Sequence, residues 1–107
     1  MAIERPITIT TASPGSSPRI TFSPSPLPAN QADQIFWTND DTEAHWPGRK
    51  NDDGTIDKEF FMTYQIAPGG TSTIFSTIVV GKLNYICTIE GHKDETGSIV
   101  INTAPAS

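Results

Sequence analysis

Leu83-Asn84-Tyr85-Ile86-Cys87-Thr88-Ile89-Glu90-Gly91-His92 is the stretch on which the reading of this chain turns. Leu83, Tyr85, Cys87 and Ile89 recur at every second position, the period of one face of a β-strand. Cys87 therefore points the same way as a row of core residues, near the end of its strand. Thr88-Ile89-Glu90-Gly91 then turns, so that His92 can fold back beside it. Cys87 is the single cysteine of 107 residues, which excludes an intramolecular disulfide. His45 and His92 are the two histidines, which excludes any site needing three imidazoles.

Working outward, β-branched and aromatic runs recur at 34–38, 60–66, 71–77 and 97–102. Turn-forming clusters separate them: Asn39-Asp40-Asp41, Asn51-Asp52-Asp53-Gly54 and Pro68-Gly69-Gly70. No segment reads as a long amphipathic helix, and short strands at this spacing predict an all-β sandwich or small barrel. Six of the nine prolines (Pro6, Pro14, Pro18, Pro24, Pro26, Pro28) precede residue 29. Residues 1–30 are accordingly read as an edge strand at 7–11 and a stiff connection, within a single domain spanning 1–107. The polar stretch 43–59, with Pro47 and Gly54, is read as a long surface loop holding at most a helical turn.

Seven Lys plus Arg against twelve Asp plus Glu give a net charge of −5, which argues against nucleic acid or an anionic membrane as partner. No apolar run is long enough for a transmembrane segment. Met1-Ala2-Ile3-Glu4-Arg5-Pro6 lacks an apolar core of signal-peptide length, so the chain is either not exported or a mature form with a replaced start. His45 follows the turn after strand 34–38. If that strand end and the end of 83–89 meet at one pole of a sandwich, a thiolate and two imidazoles converge there. That is the ligand type of a type 1 copper site.

Four pieces in order then carry a family resemblance: Ile35-Phe36-Trp37-Thr38-Asn39-Asp40-Asp41 followed by His45; Ala67-Pro68-Gly69-Gly70 followed by Phe75; Tyr85-Ile86-Cys87 continuing to His92; and Gly97-Ser98-Ile99-Val100-Ile101. From about Ala29 to Asn102 the chain resembles the cupredoxins, the small blue copper proteins of the plastocyanin and azurin type. The resemblance implies a Greek-key β-sandwich of about seven or eight strands. It implies one copper ion, with His45, Cys87 and His92 as equatorial ligands and His92 the more exposed. It also implies single-electron transfer between redox partners, in the periplasm or elsewhere outside the cytoplasm, by a monomer.

Two departures stand out. The family places a Met a few residues after the second His; here Thr96 holds that place and no Met follows His92. The axial position is read as empty, water-filled, or supplied by Thr96, the Ala44 carbonyl or Glu90, and Met62 as core. Without a strong axial donor a raised reduction potential follows; a carboxylate acts oppositely. Trp46-Pro47 replaces the family's Asn after the first His, which removes an amide tie between the two ligand loops. The Trp46 N–H can still bond the thiolate, as can that of Ile89.

Asp40, Asp41, Glu43, Glu90, Asp94 and Glu95 crowd the same loops and read either as a solvated surface or as a docking face for a basic redox partner. Ile86 and Thr88 flank Cys87 where multicopper enzymes carry a relay His, so a second metal centre is not expected, and the chain reads as a carrier more than an enzyme. Two alternatives stay open. One is a copper redox enzyme binding a small molecule such as nitric oxide at an open axial position; the other is a copper-binding or storage module.

Overall fold

The computed structural model describes residues 3–12, 20–89, 91, 92 and 94–103. Among them are eight strands and no helix: β1 (Glu4–Thr11), β2 (Ile20–Ser23), β3 (Leu27–Asn30), β4 (Gln34–Asn39), β5 (Pro47–Lys50), β6 (Ile56–Asp57), β7 (Gly81–Cys87) and β8 (Thr96–Asn102). They form a three-stranded sheet, β2-β1-β4, and a five-stranded sheet, β3-β8-β7-β5-β6. The result is the expected all-β sandwich. No helix of the described residues is long and apolar enough to cross a membrane.

Alternation builds the core. Ile7 and Ile9 of β1, Ile35 and Trp37 of β4, Leu83 and Tyr85 of β7, and Ile99 and Ile101 of β8 are all buried, while their neighbours in sequence face outward or lie half-buried. Each such side chain contributes roughly 1.5–3 kcal/mol on full burial. Trp37 and Tyr85 stand edge-on, with ring centroids 5.4 Å apart, and Phe22 and Phe61 close on the same pair. Cys87 ends β7 on this inner face, 3% exposed.

Three expectations need correction. β1 is not an edge strand: it lies between β4, parallel to it over Glu4–Ile9, and β2, antiparallel over Thr8–Thr11. Pro6 is tolerated because it falls in the half of β1 that pairs with β4 alone. Within 43–59, β5 and β6 replace the expected loop, and β5 pairs with β7 as Pro47↔Cys87 and Gly48↔Ile86. Pro47 opens its strand, where a missing N–H is harmless, and Gly48 is needed for close approach. A Cβ there would meet the Thr88 methyl at 2.8 Å and the Asp57 carbonyl at 2.9 Å. Proline and glycine carry no alternating signal, so the strand is silent in sequence.

The runs 60–66 and 71–77 are not continuous strands. The first folds as a loop that sends Phe61, Met62 and Ile66 into the core. The second lies along β4 in broken contact, with the bridges Ile35↔Phe75 and Thr38↔Thr71 and the Ser72 N–H on the Trp37 carbonyl at 2.8 Å. Between them the Trp37 N–H donates to the Ser72 hydroxyl at 2.8 Å instead of to a carbonyl, which interrupts the ladder.

Candidate metal centre

Three loops meet at the pole where β4 and β7 end. The Cys87 N–H donates to the Glu95 carbonyl at 2.9 Å, continuing the β7–β8 ladder one step beyond Ile86↔Thr96. The connecting loop turns tightly, with the His92 N–H on the Ile89 carbonyl and the Glu95 N–H on the His92 carbonyl, both 3.1 Å. Gly91, at φ +87°, supplies the left-handed residue that this turn requires. His45 is held on its own loop by a two-way bridge with Ile66, at 3.1 and 2.7 Å. The two ligand loops are tied together without the family's amide: the Thr88 N–H and hydroxyl both donate to the Trp46 carbonyl, at 2.9 and 2.8 Å.

This framework brings together four side chains. Cys87 Sγ lies 3.7 Å from His45 Nδ1 and 3.5 Å from His92 Nδ1. Glu95 Oε1 lies 3.0 and 3.1 Å from the same two nitrogens. All four donor atoms are within 4.8 Å of one another. His45, Cys87 and Glu95 are buried; the His92 side chain keeps 13% of its surface exposed, near Glu43 at 3.9 Å.

The proton positions say what this arrangement accepts. His45 Nε2 sits 2.8 Å from Asp41 Oδ2, and both side chains are fully enclosed. With Asp41 ionised and accepting, Nε2 carries a hydrogen, and Nδ1, 3.0 Å from Glu95, either carries a second proton or presents its lone pair to a cation. That nitrogen faces the Glu95 oxygen and the Cys87 sulfur, so a proton or a cation must lie between them. Two imidazole nitrogens, a thiolate and a carboxylate converging in a buried space fit a divalent transition metal.

Burial pushes the Cys87 thiol up to about 11, and the Glu95 carboxylate adds to the rise; the N–H groups of Trp46, 3.4 Å from Sγ, and Ile89 oppose it. A metal must therefore displace the thiol proton at neutral pH. Raising the pH exposes more thiolate, so apparent affinity should rise about tenfold per pH unit between roughly pH 7 and 9 from this proton alone. Competition titrations across that range check the slope; a flat profile would mean that the thiol is not a ligand.

The solved structures that resemble this one share its fold over most of its length. A purple cupredoxin from Nitrosopumilus maritimus superposes with a TM-score of 0.75, covering 92% of this chain and 99% of its own at 20% identity. The fold is that of the cupredoxins. Amicyanin from Paracoccus versutus follows at TM-score 0.61 and 13% identity, covering 94% and 81%. A variant of amicyanin in its reduced Cu(I) form at pH 4 gives 0.60 and 16%, covering 94% and 82%. No protein-family model matches the chain, and no curated protein matches it.

Within this cupredoxin fold, His45, Cys87 and His92 stand together. Thr96 does not join them: it opens β8, exposed, opposite Ile86. Ala44 is half-buried directly before the His45 bridge, Met62 is core, and Glu90, with Lys93, lies outside the described residues. Trp46 packs half-buried against the core, its indole N–H on the Met62 carbonyl at 3.3 Å and the Lys58 ammonium 4.2 Å above its ring. Asp41 and Glu95 are buried, 3% and 2% exposed, and so leave the acidic surface patch, of which Asp40, Glu43 and Asp94 remain exposed among the described residues. Sequence reasoning missed Glu95 as a donor. Its signal was the β8 alternation Ile101, Ile99, Gly97, which continues one step back to Glu95 on the same face.

Proposed function

We propose that this protein holds one copper ion with His45, Cys87 and His92 and carries single electrons between redox partners outside the cytoplasm. The observation that carries this reading is the meeting of the Cys87 sulfur with two imidazole Nδ1 atoms, at 3.7 and 3.5 Å, on strand ends tied to one another. A bound copper would supply a Cu(II)/Cu(I) couple in a trigonal His₂Cys set. The chain supplies the rest. Asp41 holds the His45 ring in one tautomer, and carboxylate partners of this kind raise imidazole basicity. The Trp46 and Ile89 N–H groups face the sulfur, and the Thr88–Trp46 hydrogen bonds limit the movement of both loops. Burial excludes water from His45 and Cys87 and leaves His92 a small exposed edge.

The partly exposed His92 edge is the contact point for a redox protein. Glu43, 3.9 Å from His92 Nε2, and the exposed Asp40 and Asp94 of the same two loops favour a basic docking face, with an encounter rate that falls as salt rises. No step requires a second copy, so the carrier is read as a monomer.

The test is addition of Cu(II) to the metal-free protein with Cys87→Ser alongside. An intense visible thiolate-to-copper band that the variant lacks supports the reading. A colourless wild type, or a spectrum that Cys87→Ser leaves unchanged, removes it.

A further inference from the structure

Glu95 has no part in a trigonal site, yet its position is tightly constrained. It is 2% exposed, its carbonyl is locked to the Cys87 N–H, and Oε1 stands within 3.1 Å of both imidazole Nδ1 atoms. Resting on the copper reading above, we propose that Glu95 is the fourth ligand, a carboxylate in place of the missing methionine, and that it biases the site toward the oxidised ion.

The argument is one of charge and donor type. A carboxylate this deeply enclosed is costly unless a cation or a proton compensates it. The Asp41 contact at His45 Nε2 leaves that ring facing Glu95 through Nδ1, which carries no hydrogen in the neutral form, and His92 faces the same oxygen through its own Nδ1. A dication held by Cys87 thiolate and Glu95 carboxylate gives a neutral donor set, and one-electron reduction adds a further negative charge to a buried space that already holds the Asp41 carboxylate on His45. A hard oxygen donor also favours Cu(II) over Cu(I). Both effects lower the reduction potential, the reverse of what an empty axial position produces. With Glu95 as the fourth donor the ion would have no open position for an outside molecule to take.

Wild type, Glu95→Gln, Glu95→Ala and Cys87→Ser are loaded with copper and compared by visible spectrum, EPR, reduction potential and titration with azide. Expected is a thiolate band kept but shifted in Glu95→Gln. Its Cu(II) affinity should fall about tenfold or more with Cu(I) affinity little changed. A tenfold difference corresponds to a potential about 59 mV more positive. Azide should alter the spectrum of Glu95→Ala and leave wild type unchanged. If the band is present and lost in Cys87→Ser, but Glu95→Gln matches wild type in EPR and potential, Glu95 is not a ligand and the copper reading stands. If wild type shows no band, both fail. Should the variants not fold, a crystal structure of copper-loaded wild type decides alone: a Glu95 oxygen bonded to the ion supports the proposal, and any other fourth ligand or none overturns it.

Discussion

Gly97→Ala is expected to abolish cooperative folding or to lower the melting temperature by more than about 12 °C. Gly97 pairs with Tyr85 across β7 and β8, and the tyrosine ring lies over it. A Cβ at Gly97 would overlap Tyr85 Cζ and Oη and stand 2.7 Å from Cε1. The ring cannot retreat into the core, because Trp37, Phe22 and Phe61 close on it there at centroid distances of 5.4, 4.9 and 6.2 Å, and a shift the other way would turn it out of its buried seat toward the cleft beside Ser25 and Ser98. Overpacking costs roughly 1–3 kcal/mol, and losing the seat of a core aromatic roughly 3–5 kcal/mol. Against a total of about 5–15 kcal/mol for a domain, even 3 kcal/mol is serious, since each kcal/mol moves the transition by about 4–8 °C at this size. Thermal unfolding of the metal-free variant measures it. A melting point within about 4 °C of wild type would mean that Tyr85 has a second seat.

Asn39→Ala is expected to damage stability and the metal centre together, without touching a ligand. Asn39 is fully buried, and its amide spans the pole: Nδ2 donates to the Glu43 carbonyl at 2.8 Å and the Ile66 carbonyl at 3.0 Å, with Ala67 at 3.3 Å, while Oδ1 accepts the Asp41 N–H at 2.9 Å. Ile66 is the residue bridged to His45, and Asp41 is the carboxylate on its Nε2. Alanine removes all four contacts: the Ile66 and Ala67 carbonyls keep the His45 and Gly70 N–H groups, while the bonds to the Glu43 carbonyl and the Asp41 N–H are lost at about 1–3 kcal/mol each, a loss of roughly 2–5 kcal/mol in all. Freed from its clamp, the Asp41 turn no longer orients the imidazole, and metal affinity should fall about 10- to 100-fold. Denaturant melts and metal competition on the same sample read both effects. Wild-type affinity in a destabilised variant would separate Asn39 from the site.

The two variants mark different depths of legibility. The alternation in 34–38, 83–89 and 97–102 was readable directly, because a sheet buried on one face imposes a period of two on its side chains. The spacing from Cys87 to His92 was equally plain, since five residues of chain around a glycine can hardly place the two apart. By contrast, β5 was invisible: Pro47 and Gly48 are read as breakers, and only the approach of Thr88 and Asp57 explains why a strand needs them there. The loop 60–66 was overread as a strand because aromatic residues enter a core equally well from irregular backbone.

The sequence by itself determined an all-β chain in which Cys87 and His92 lie side by side, with His45 joined to them only through the family resemblance. It did so because period and spacing are local properties of the chain. Which carboxylates are buried was decided by the tertiary structure, the β8 alternation giving a hint for Glu95 alone. Asp41 and Glu95 look in sequence like Asp40 and Asp94 beside them, and an acid is ordinarily placed in solvent. The fold alone closes β4 and β7 around one pole, encloses those two and leaves their neighbours outside, since burial of a charge depends on what the rest of the chain brings to meet it.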